Sequence, residues 1–320
     1  MKRAVFSAPG RVDLSGGAAD IFGFTTLSLA IDLRTRCVLE ENQGKITFDV
    51  GEGPIDIDDA RGERYDLLHN IVRRFKLKEG LSFSLSSDIP PSSGLGGSAS
   101  FTVSAIRCLD KMLSLGLNDY EVAEHAQRIE TLGMELKNGY QDQYCSTFGG
   151  CLFMDFRDKE NREIWEEPYA VVERLEFDHS VVVAHTGTKH NSGEANSMVF
   201  DKYYEDDKAT VNSILELDDL TRELRNAVID DDYEMVCKIV DLNQEIIRRF
   251  KRSYPENEKL IDVALGSGAD AAKVTGAGCG GSIAAICYDE DSARKVAEAL
   301  GEVSNFVKVC TVDGGVRDEL

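Results

Sequence analysis

Short apolar runs separated by polar residues dominate the first 86 residues and predict mainly β structure. Runs of this kind, bounded by turn-forming residues, are typical of strands. Strands are predicted at Ala4–Ser7, Ser28–Leu33, Cys37–Glu40, Ile46–Val50 and Leu81–Ser86. A helical spacing interrupts them at Tyr65–Phe75.

The apolar spacing takes a helical period beyond residue 97. It predicts two amphipathic helices, Ser98–Leu113 and Asn118–Leu136. Asn118, followed at the third position by Glu121, has the form of a capping box at the start of the second helix. Strand character returns at Cys151–Phe156 and Val181–His185.

The remainder of the chain is mainly helical. A polar segment with a spaced apolar stripe, Tyr204–Ile229, predicts one helix, and a second stripe runs from Met235 to Phe250. The later predicted elements are a helix at Asn257–Leu265, a loop and strand at Val274–Ile286, a helix at Asp291–Leu300 and a strand at Phe306–Val312. Because the pattern changes near residue 175, we expect two domains, residues 1–175 and 176–320.

The net charge of the chain is −21, which argues against nucleic acid or an anionic membrane as a partner. Both of those partners need clustered lysine and arginine side chains. The acidic runs Glu205–Asp207 and Asp230–Asp232 are interpreted as solvated helix ends and turns.

The eight cysteines are scattered, with no C-x-x-C pair, and we interpret them as reduced, buried thiols. The N-terminus lacks the apolar run of a secretory signal, and no stretch reaches the length of a membrane span. These features predict a cytoplasmic enzyme with a small-molecule substrate. A homodimer is compatible with the sequence.

Three glycine-rich segments carry the candidate chemistry: Ala8–Asp20, Pro90–Ser100 and Lys273–Ser282. In the second, glycines at 94, 96 and 97 directly precede a predicted helix. Such a loop allows backbone N–H groups to converge, and the helix N-terminus adds a partial positive charge. The segment therefore predicts a phosphate site, while a plain strand-to-helix connection is the alternative.

The three segments, in this order and over residues 8–286, resemble those of the GHMP kinases. This superfamily includes galactokinase, homoserine kinase, mevalonate kinase and phosphomevalonate kinase. The resemblance implies an α+β fold with an N-terminal ATP-binding α/β domain and a C-terminal ferredoxin-like α+β domain. The active site is then expected in the cleft between them, with ATP and Mg²⁺ as cofactors and an alcohol group as phosphoryl acceptor.

The second glycine-rich segment is the expected ATP site, since the sequence has no Walker A motif. The third is expected to lie behind the phosphates. The residues that the resemblance places against ATP are Pro91, Ser92, Ser93, Gly94, Leu95, Gly96, Gly97, Ser98, Ala99, Gly276 and Gly278.

Phosphoryl transfer to an alcohol needs phosphate positioning, a divalent metal and often a carboxylate that accepts the hydroxyl proton. By resemblance, Asp142 is the catalytic base, Arg11 lies beside it, and Glu130 is a metal ligand. Ser98 is placed to reach Mg²⁺, and a simple N-cap role is the alternative for it. Glu130 as a solvated helix residue and Arg11 as a structural ion pair are the corresponding alternatives.

The sugar-kinase branch gives the better match for the acceptor site. Asp20 matches the aspartate that binds a sugar hydroxyl in galactokinases, and Lys189 and His190 lie in a galactokinase-like segment. The stretch 139–150 is similar to heptose-7-phosphate kinases. Small residues from Gly17 to Ala19 stand where galactokinases carry Glu-His-Thr, which leaves room for a larger substrate.

The sequence leaves the acceptor open. If the substrate carries a phosphate, Lys137, Lys189, His190 and Arg34 are the candidate cations. A phosphorylated mevalonate is the alternative acceptor, and a sensor that binds ATP and sugar without turnover is a further alternative.

One further glycine pattern, at 266–271, has the form G-x-G-x-x-A of a dinucleotide-binding turn. Such a turn must lead from a strand into a helix and on to another strand, whereas here a new glycine-rich loop starts at Gly276. We therefore interpret this pattern as a connection without a cofactor.

Overall fold

The computed structural model describes residues 2–134, 138–157, 159, 169–188 and 192–320. Within them, the first part of the chain forms a mixed sheet with strand order β12-β1-β2-β5-β3-β4, to which β6 and β7 are added beside β2. Its strands are β1 (Arg3–Ser15), β2 (Thr25–Glu41), β3 (Thr47–Asp49), β4 (Ile55–Asp56), β5 (Leu81–Ser87), β6 (Cys151–Asp155), β7 (Val171–Leu175) and β12 (Arg317–Asp318).

Helices cover this sheet. They are a short 3-10 helix (Ala19–Phe22), α1 (Glu63–Arg74), α2 (Gly97–Leu113), α3 (Asp119–Met134) and α4 (Gln141–Phe148). The predicted capping box at the start of α3 is confirmed, because Asn118 and Glu121 exchange backbone-to-side-chain hydrogen bonds of 2.8 and 3.0 Å. The last predicted residues of that helix, 135 and 136, lie outside the described residues.

The second sheet is antiparallel with the order β11-β8-β10-β9. Its strands are β8 (Ser180–His185), β9 (Ala271–Thr275), β10 (Ser282–Cys287) and β11 (Val307–Cys310), and its helices are α5 (Ser192–Tyr204), α6 (Lys208–Ile229), α7 (Tyr233–Arg249), α8 (Pro255–Gly266) and α9 (Glu290–Gly301). This strand order, with helices between β8 and β9 and between β10 and β11, is the ferredoxin-like arrangement. The predicted two-domain α+β fold is confirmed.

The domain division at residue 175 stays a prediction. β7 ends the first sheet at Leu175, and β8 opens the second sheet at Ser180. The C-terminal tail departs from the predicted range of the second domain, since β12 returns to pair with β1. The tail also reaches α4, where a side chain at Gly149 would collide with the backbone of Gly315.

Two predicted strands, Ser28–Leu33 and Cys37–Glu40, are in fact one long strand, β2. The polar break between them is misleading, because Arg34 is buried inside the sheet and forms a 2.6 Å ion pair with Asp313 of the tail. β1 likewise continues to Ser15, so most of the first glycine-rich segment is a strand with a register shift after Pro9.

The predicted helix Tyr204–Ile229 begins later, at Lys208. The acidic run before it forms a turn and a cap, since the Asp207 carboxylate accepts a hydrogen bond from the Thr210 N–H (2.9 Å). Asp232 caps α7 in the same way through Met235 (3.0 Å). The interpretation of both acidic runs as helix ends and turns is confirmed.

The pattern at 266–271 joins the end of α8 to the start of β9. It therefore runs from helix to strand, the reverse of a dinucleotide-binding turn. In the described part of the chain, no helix combines the length and apolarity needed to cross a membrane.

The two sheets share an apolar core. Val12 and Leu29 of the first sheet belong to the same buried cluster as Val183 of the second sheet and Ile239 of α7. Within this contact lies a fully buried ion pair, in which Lys273 Nζ of β9 donates to Asp13 Oδ2 of β1 at 2.5 Å. The ion pair therefore fixes the relative position of β1 and β9.

Replacing Lys273 by Met would leave the Asp13 carboxylate buried without its ammonium partner. We expect the free energy of unfolding to fall by about 3–5 kcal/mol, the usual cost of removing one member of a buried pair. Urea unfolding followed by circular dichroism measures this change. The matched control is Lys308→Met on β11, an exposed lysine whose 3.5 Å pair with Asp32 should contribute less than about 1 kcal/mol. Similar losses of unfolding free energy in both variants would contradict the stabilising role of the pair between Lys273 and Asp13.

Candidate active site

The second glycine-rich segment wraps around the start of α2. Gly94 and Gly96 have positive φ angles of 76° and 75°, which let the loop turn into the helix. The first helical hydrogen bond runs from Ser100 N–H to the Gly96 carbonyl (2.9 Å). The N–H groups of Gly97, Ser98 and Ala99 therefore have no intrahelical partner, which is the arrangement that binds phosphate at helix N-termini.

Ser98 lies exposed in the first turn of α2. The N-cap position belongs to Gly96, and no side-chain cap hydrogen bond is formed there. The alternative interpretation of Ser98 as the N-cap is therefore wrong, because the helix starts one residue earlier than predicted. Its hydroxyl stays available beside the three first-turn N–H groups.

Arg11 of β1 connects the loop to α4. Its N–H donates to the Leu95 carbonyl (2.9 Å), and its Nη1 donates to the Gly94 carbonyl. Its Nε and Nη2 donate to the two oxygens of Asp142 at 2.7 and 2.8 Å. Burial lowers the pKa of Arg11, but the carboxylates of Asp142 and Asp13 outweigh burial and the net shift is upward. The structure thus brings together the predicted base, the predicted arginine and the loop.

Asp142 lies in the first turn of α4 and is partly exposed, with 29% of its side chain accessible. Its bidentate pairing with a fixed guanidinium holds both carboxylate oxygens in one plane. A carboxylate held in this way, open on one side, can accept a proton from a hydroxyl that enters the cleft.

Asp20 binds the N-terminus of α4 directly. Its Oδ2 accepts hydrogen bonds from the Tyr140 N–H (2.6 Å) and the Gln141 N–H (2.9 Å). Burial raises the pKa of Asp20 to about 7, even though these N–H groups lower it. The other oxygen, Oδ1, accepts no hydrogen bond from any described residue. The predicted contact of Asp20 with a substrate hydroxyl therefore depends on that atom.

Gly17 also contacts the N-terminus of α4. Its carbonyl accepts a hydrogen bond from Gln141 Nε2 at 2.7 Å, so the first glycine-rich segment contacts α4 through both Gly17 and Asp20. Gly139 makes this approach possible, because a side chain there would occupy the position of the Asp20 carboxylate.

Glu130 of α3 is buried, and its Oε1 has no hydrogen-bond partner. Burial, together with the charge of Asp142, raises the pKa of Glu130 to about 8. An unpartnered buried carboxylate oxygen is costly unless a cation compensates it. Mg²⁺ is commonly held by one or two protein ligands together with substrate phosphates. The donor set of Glu130 and the Ser98 hydroxyl fits that pattern.

The third glycine-rich segment closes the site from the second domain. The Gly276 N–H donates to Asp13 Oδ1 (2.6 Å), and a Cβ at Gly276 would lie 2.5 Å from the Gly94 carbonyl. Gly278 packs against the backbone of Arg252 in the same manner. The glycines at 276 and 278 thus allow backbone contact between the third segment and its neighbours.

Several predicted residues lie outside this arrangement. Lys189 and His190, proposed to bind substrate, and Lys137 are not among the described residues. Arg34 is engaged elsewhere, since it donates to Ser7 (2.7 Å) and Asp313 (2.6 Å) inside the sheet. The hypothesis that Arg34 binds a substrate phosphate is therefore wrong.

Sequence reasoning missed Lys273 and Arg252. Lys273 lies at the start of the third glycine-rich segment, but a lysine in a short strand gives no sign that it will be buried. Arg252 follows an amphipathic helix among other basic residues and has no distinguishing spacing. Only the fold shows that both lie in the cleft.

Comparison with known proteins identifies the chain. The family model for the GHMP kinases N terminal domain matches residues 65–150, and the model for the GHMP kinases C terminal domain matches residues 220–305. A galactokinase galactose-binding signature matches residues 1–41. Together the two domain models span more than half of the chain.

Three relatives illustrate the range of similarity. A D-glycero-alpha-D-manno-heptose 7-phosphate kinase from Campylobacter jejuni is 27% identical over 304 residues, with 88% of each chain covered. A mevalonate kinase from Thermococcus onnurineus is 25% identical, with 99% of this chain and 98% of that protein covered. The structure of Lactococcus lactis galactokinase complexed with galactose superimposes with a TM-score of 0.80 at 16% identity, over 99% and 95% of the two chains.

The fold and site define a small-molecule kinase with a cleft between two domains. The chain belongs to the GHMP kinases. It is a phosphotransferase that uses ATP as donor and an alcohol group as acceptor.

Replacing Gly139 by Ala should displace the N-terminus of α4, because the added methyl group would overlap the Asp20 carboxylate. Displacements of about 1 Å near a catalytic group can reduce turnover roughly 100-fold, and we expect kcat for ADP release to fall by that order. The control is Gly301→Ala at the end of α9, where a methyl group meets open space. Unchanged kcat in Gly139→Ala would show that the Asp20 contact does not position Asp142.

Proposed function

We propose that the protein transfers the γ-phosphoryl group of MgATP to a hydroxyl of a sugar or sugar phosphate. The observation that carries the proposal is the bidentate pair of Arg11 and Asp142, held against the phosphate-binding loop at Gly94. This contact puts a proton acceptor, a fixed positive charge and unpaired backbone N–H groups in one cleft.

In the proposed mechanism, the first-turn N–H groups of α2 bind the phosphates of ATP through direct hydrogen bonds. Asp142 orients the acceptor hydroxyl and accepts its proton as the new phosphorus–oxygen bond forms. Arg11 orients Asp142 through its bidentate contact and stabilises negative charge on the transferring group. In-line transfer depends mainly on this positioning, since phosphoryl transfer requires little covalent participation by the protein.

Glu130 and Ser98 are the proposed Mg²⁺ ligands. A divalent ion held there would offset charge on the β- and γ-phosphates. The unpartnered Glu130 Oε1 supports this assignment, as does the exposed Ser98 hydroxyl in the first turn of α2.

The acceptor side supports a sugar. The galactokinase galactose-binding signature covers the wall formed by Gly17, Ala18 and Ala19, whose small side chains leave more room than Glu-His-Thr would. The Campylobacter jejuni relative is named for a heptose 7-phosphate, which would use such room. A phosphorylated mevalonate is the second candidate, because mevalonate kinases match over nearly the whole chain.

An ADP-release assay with MgATP tests the proposal on galactose, heptose 7-phosphates, other sugar phosphates, mevalonate and its 3- and 5-phosphates. We expect turnover on at least one sugar or sugar phosphate, abolished by EDTA and restored by excess Mg²⁺. Turnover confined to a mevalonate species would replace the proposed acceptor. Binding of ATP without turnover on any acceptor would contradict the proposal and favour a sensor.

Replacing Asp142 by Asn removes the proton acceptor but preserves the size of the side chain. We expect kcat to fall by about 10²–10⁴-fold, the usual contribution of a general base, while KM for ATP changes less than about twofold. Asp289→Asn is the matched control, since Asp289 only caps α9 and asparagine caps equally well. Activity of Asp142→Asn near that of the control would remove Asp142 as the base.

A further inference from the structure

Arg252 differs from the other buried basic side chains. Among the described residues, five lysines and arginines are buried: Arg11, Arg34, Lys159, Arg252 and Lys273. Four of them form ion pairs of 2.5–2.7 Å, with Asp142, Asp313, Glu124 and Asp13 respectively. Arg252 has no carboxylate within ion-pair distance in the part of the chain that the structure describes.

The hydrogen bonds of Arg252 leave one nitrogen unused. Its Nε donates to the Ala277 carbonyl, and its Nη2 donates to Asn196 Oδ1 at 2.8 Å. No described residue accepts a hydrogen bond from Nη1. Arg252 is only 5% exposed, so water alone solvates its charge poorly. Asp13 and Asp20 act on this charge only from beyond ion-pair distance, and a buried charge without a carboxylate in contact is costly, which indicates that a ligand supplies the missing anion.

Arg252 lines a small cavity of about 10 Å³. Its polar lining residue besides Arg252 is Asn243 of α7, and the rest of the lining is backbone and apolar side chains: Gly17, Ala18, Leu217, Ile247, Phe250, Gly276 and Ala277. Of the residues expected against ATP, Gly276 lines it and none from Pro91 to Ala99 does, while Gly17 and Ala18 connect it to the predicted acceptor wall. A space of this size accommodates about one oxygen atom.

The surroundings of the cavity favour a specific kind of group. Asn243 is fully buried, and its Oδ1 has no hydrogen-bond partner. Arg252 therefore offers a charged donor and Asn243 offers an acceptor in the same space. An anionic oxygen with a hydroxyl close to it would satisfy both side chains, as in a polyol that bears a phosphate.

We propose that Arg252 binds an anionic group of the acceptor, so that the protein acts on a substrate that is already phosphorylated or carboxylated and not on a neutral sugar. This inference rests on the proposed kinase function and names its substrate class. Arg252 takes the role for which the sequence offered Lys137, Lys189, His190 and Arg34. The pairing would compensate the charge that the fold leaves buried.

The test compares Arg252→Gln and Arg252→Lys with Arg248→Gln. Arg248 carries the same charge four residues earlier, but it pairs with Glu258 and Glu245 on the surface. KM and kcat are measured for the acceptor that turns over, with and without its anionic group, and for ATP. Thermal melting with the acceptor alone reports binding independently of turnover.

We expect wild-type protein to prefer the anionic acceptor, and Arg252→Gln to raise KM for it by roughly 30-fold or more, as for loss of a buried charged contact. Arg252→Lys should recover part of that loss, while KM for ATP and the Arg248→Gln control change less than about threefold. The stabilisation of the wild type by the anionic acceptor should disappear in Arg252→Gln.

Three outcomes would overturn the inference. A neutral sugar as the preferred acceptor would do so while leaving the proposed kinase function intact. An increase of KM for ATP alone would assign Arg252 to the nucleotide phosphates. Equal increases for both substrates, with a lower melting temperature, would make Arg252 a structural support of the Ala277 loop. If only a mevalonate species turns over, the same comparison on that acceptor tests Arg252 separately from the proposed sugar.

Discussion

The buried ion pair between Asp13 and Lys273 is the interaction on which the cleft depends. Asp13 Oδ2 accepts a hydrogen bond from Lys273 Nζ. Asp13 Oδ1 accepts hydrogen bonds from Thr275 Oγ1 (2.9 Å) and from the Gly276 N–H (2.6 Å). One carboxylate therefore binds a strand of the first sheet to the third glycine-rich segment. Because Gly276 then touches Gly94, the same contact positions the loop that precedes α2. Full hydrogen bonding is what makes such a buried pair tolerable, and here every oxygen of Asp13 is engaged.

The interior of the cleft is less acidic than the chain as a whole. The net charge is −21, yet Asp13 is surrounded by Lys273, Arg11 and Arg252, each of which interacts with it electrostatically. Burial also raises the pKa of Asp20 to about 7 and that of Glu130 to about 8, so both carry less negative charge near neutral pH. An anionic substrate of the proposed class would therefore meet nearby basic side chains, since short-range charges in a low-dielectric cleft outweigh distant surface charge.

The sequence predicted the elements and residues that depend on local signals. The start of α3 follows from Asn118 and Glu121, and the turn into α2 follows from the glycines before that helix. Long-range contacts could not be predicted. Arg34 looks like a break in a strand, but a tail more than 270 residues away supplies its partner. The same holds for Arg252, whose proposed role depends on the lack of an ion-pairing carboxylate among the described residues, in a space that only the fold creates. The burial of Lys273 likewise depends on a distant partner, Asp13.

The contacts of α4 connect the predicted acceptor wall to the proposed base. Its N-terminus is held by Asp20 and by the Gly17 carbonyl, which belong to the predicted acceptor wall. Further along, the Tyr144 hydroxyl donates to Glu124 (2.5 Å), which also pairs with Lys159. The position of Asp142 thus depends on residues that also shape the substrate site. On the proposed mechanism, substitutions at residues 17–19 can alter specificity and leave Asp142 in position only if the Asp20 carboxylate and the Gly17 carbonyl keep their contacts with α4. The side chain at position 18, which lines the cavity beside Arg252, is free of that constraint, whereas Ala19 is fully buried in the apolar core.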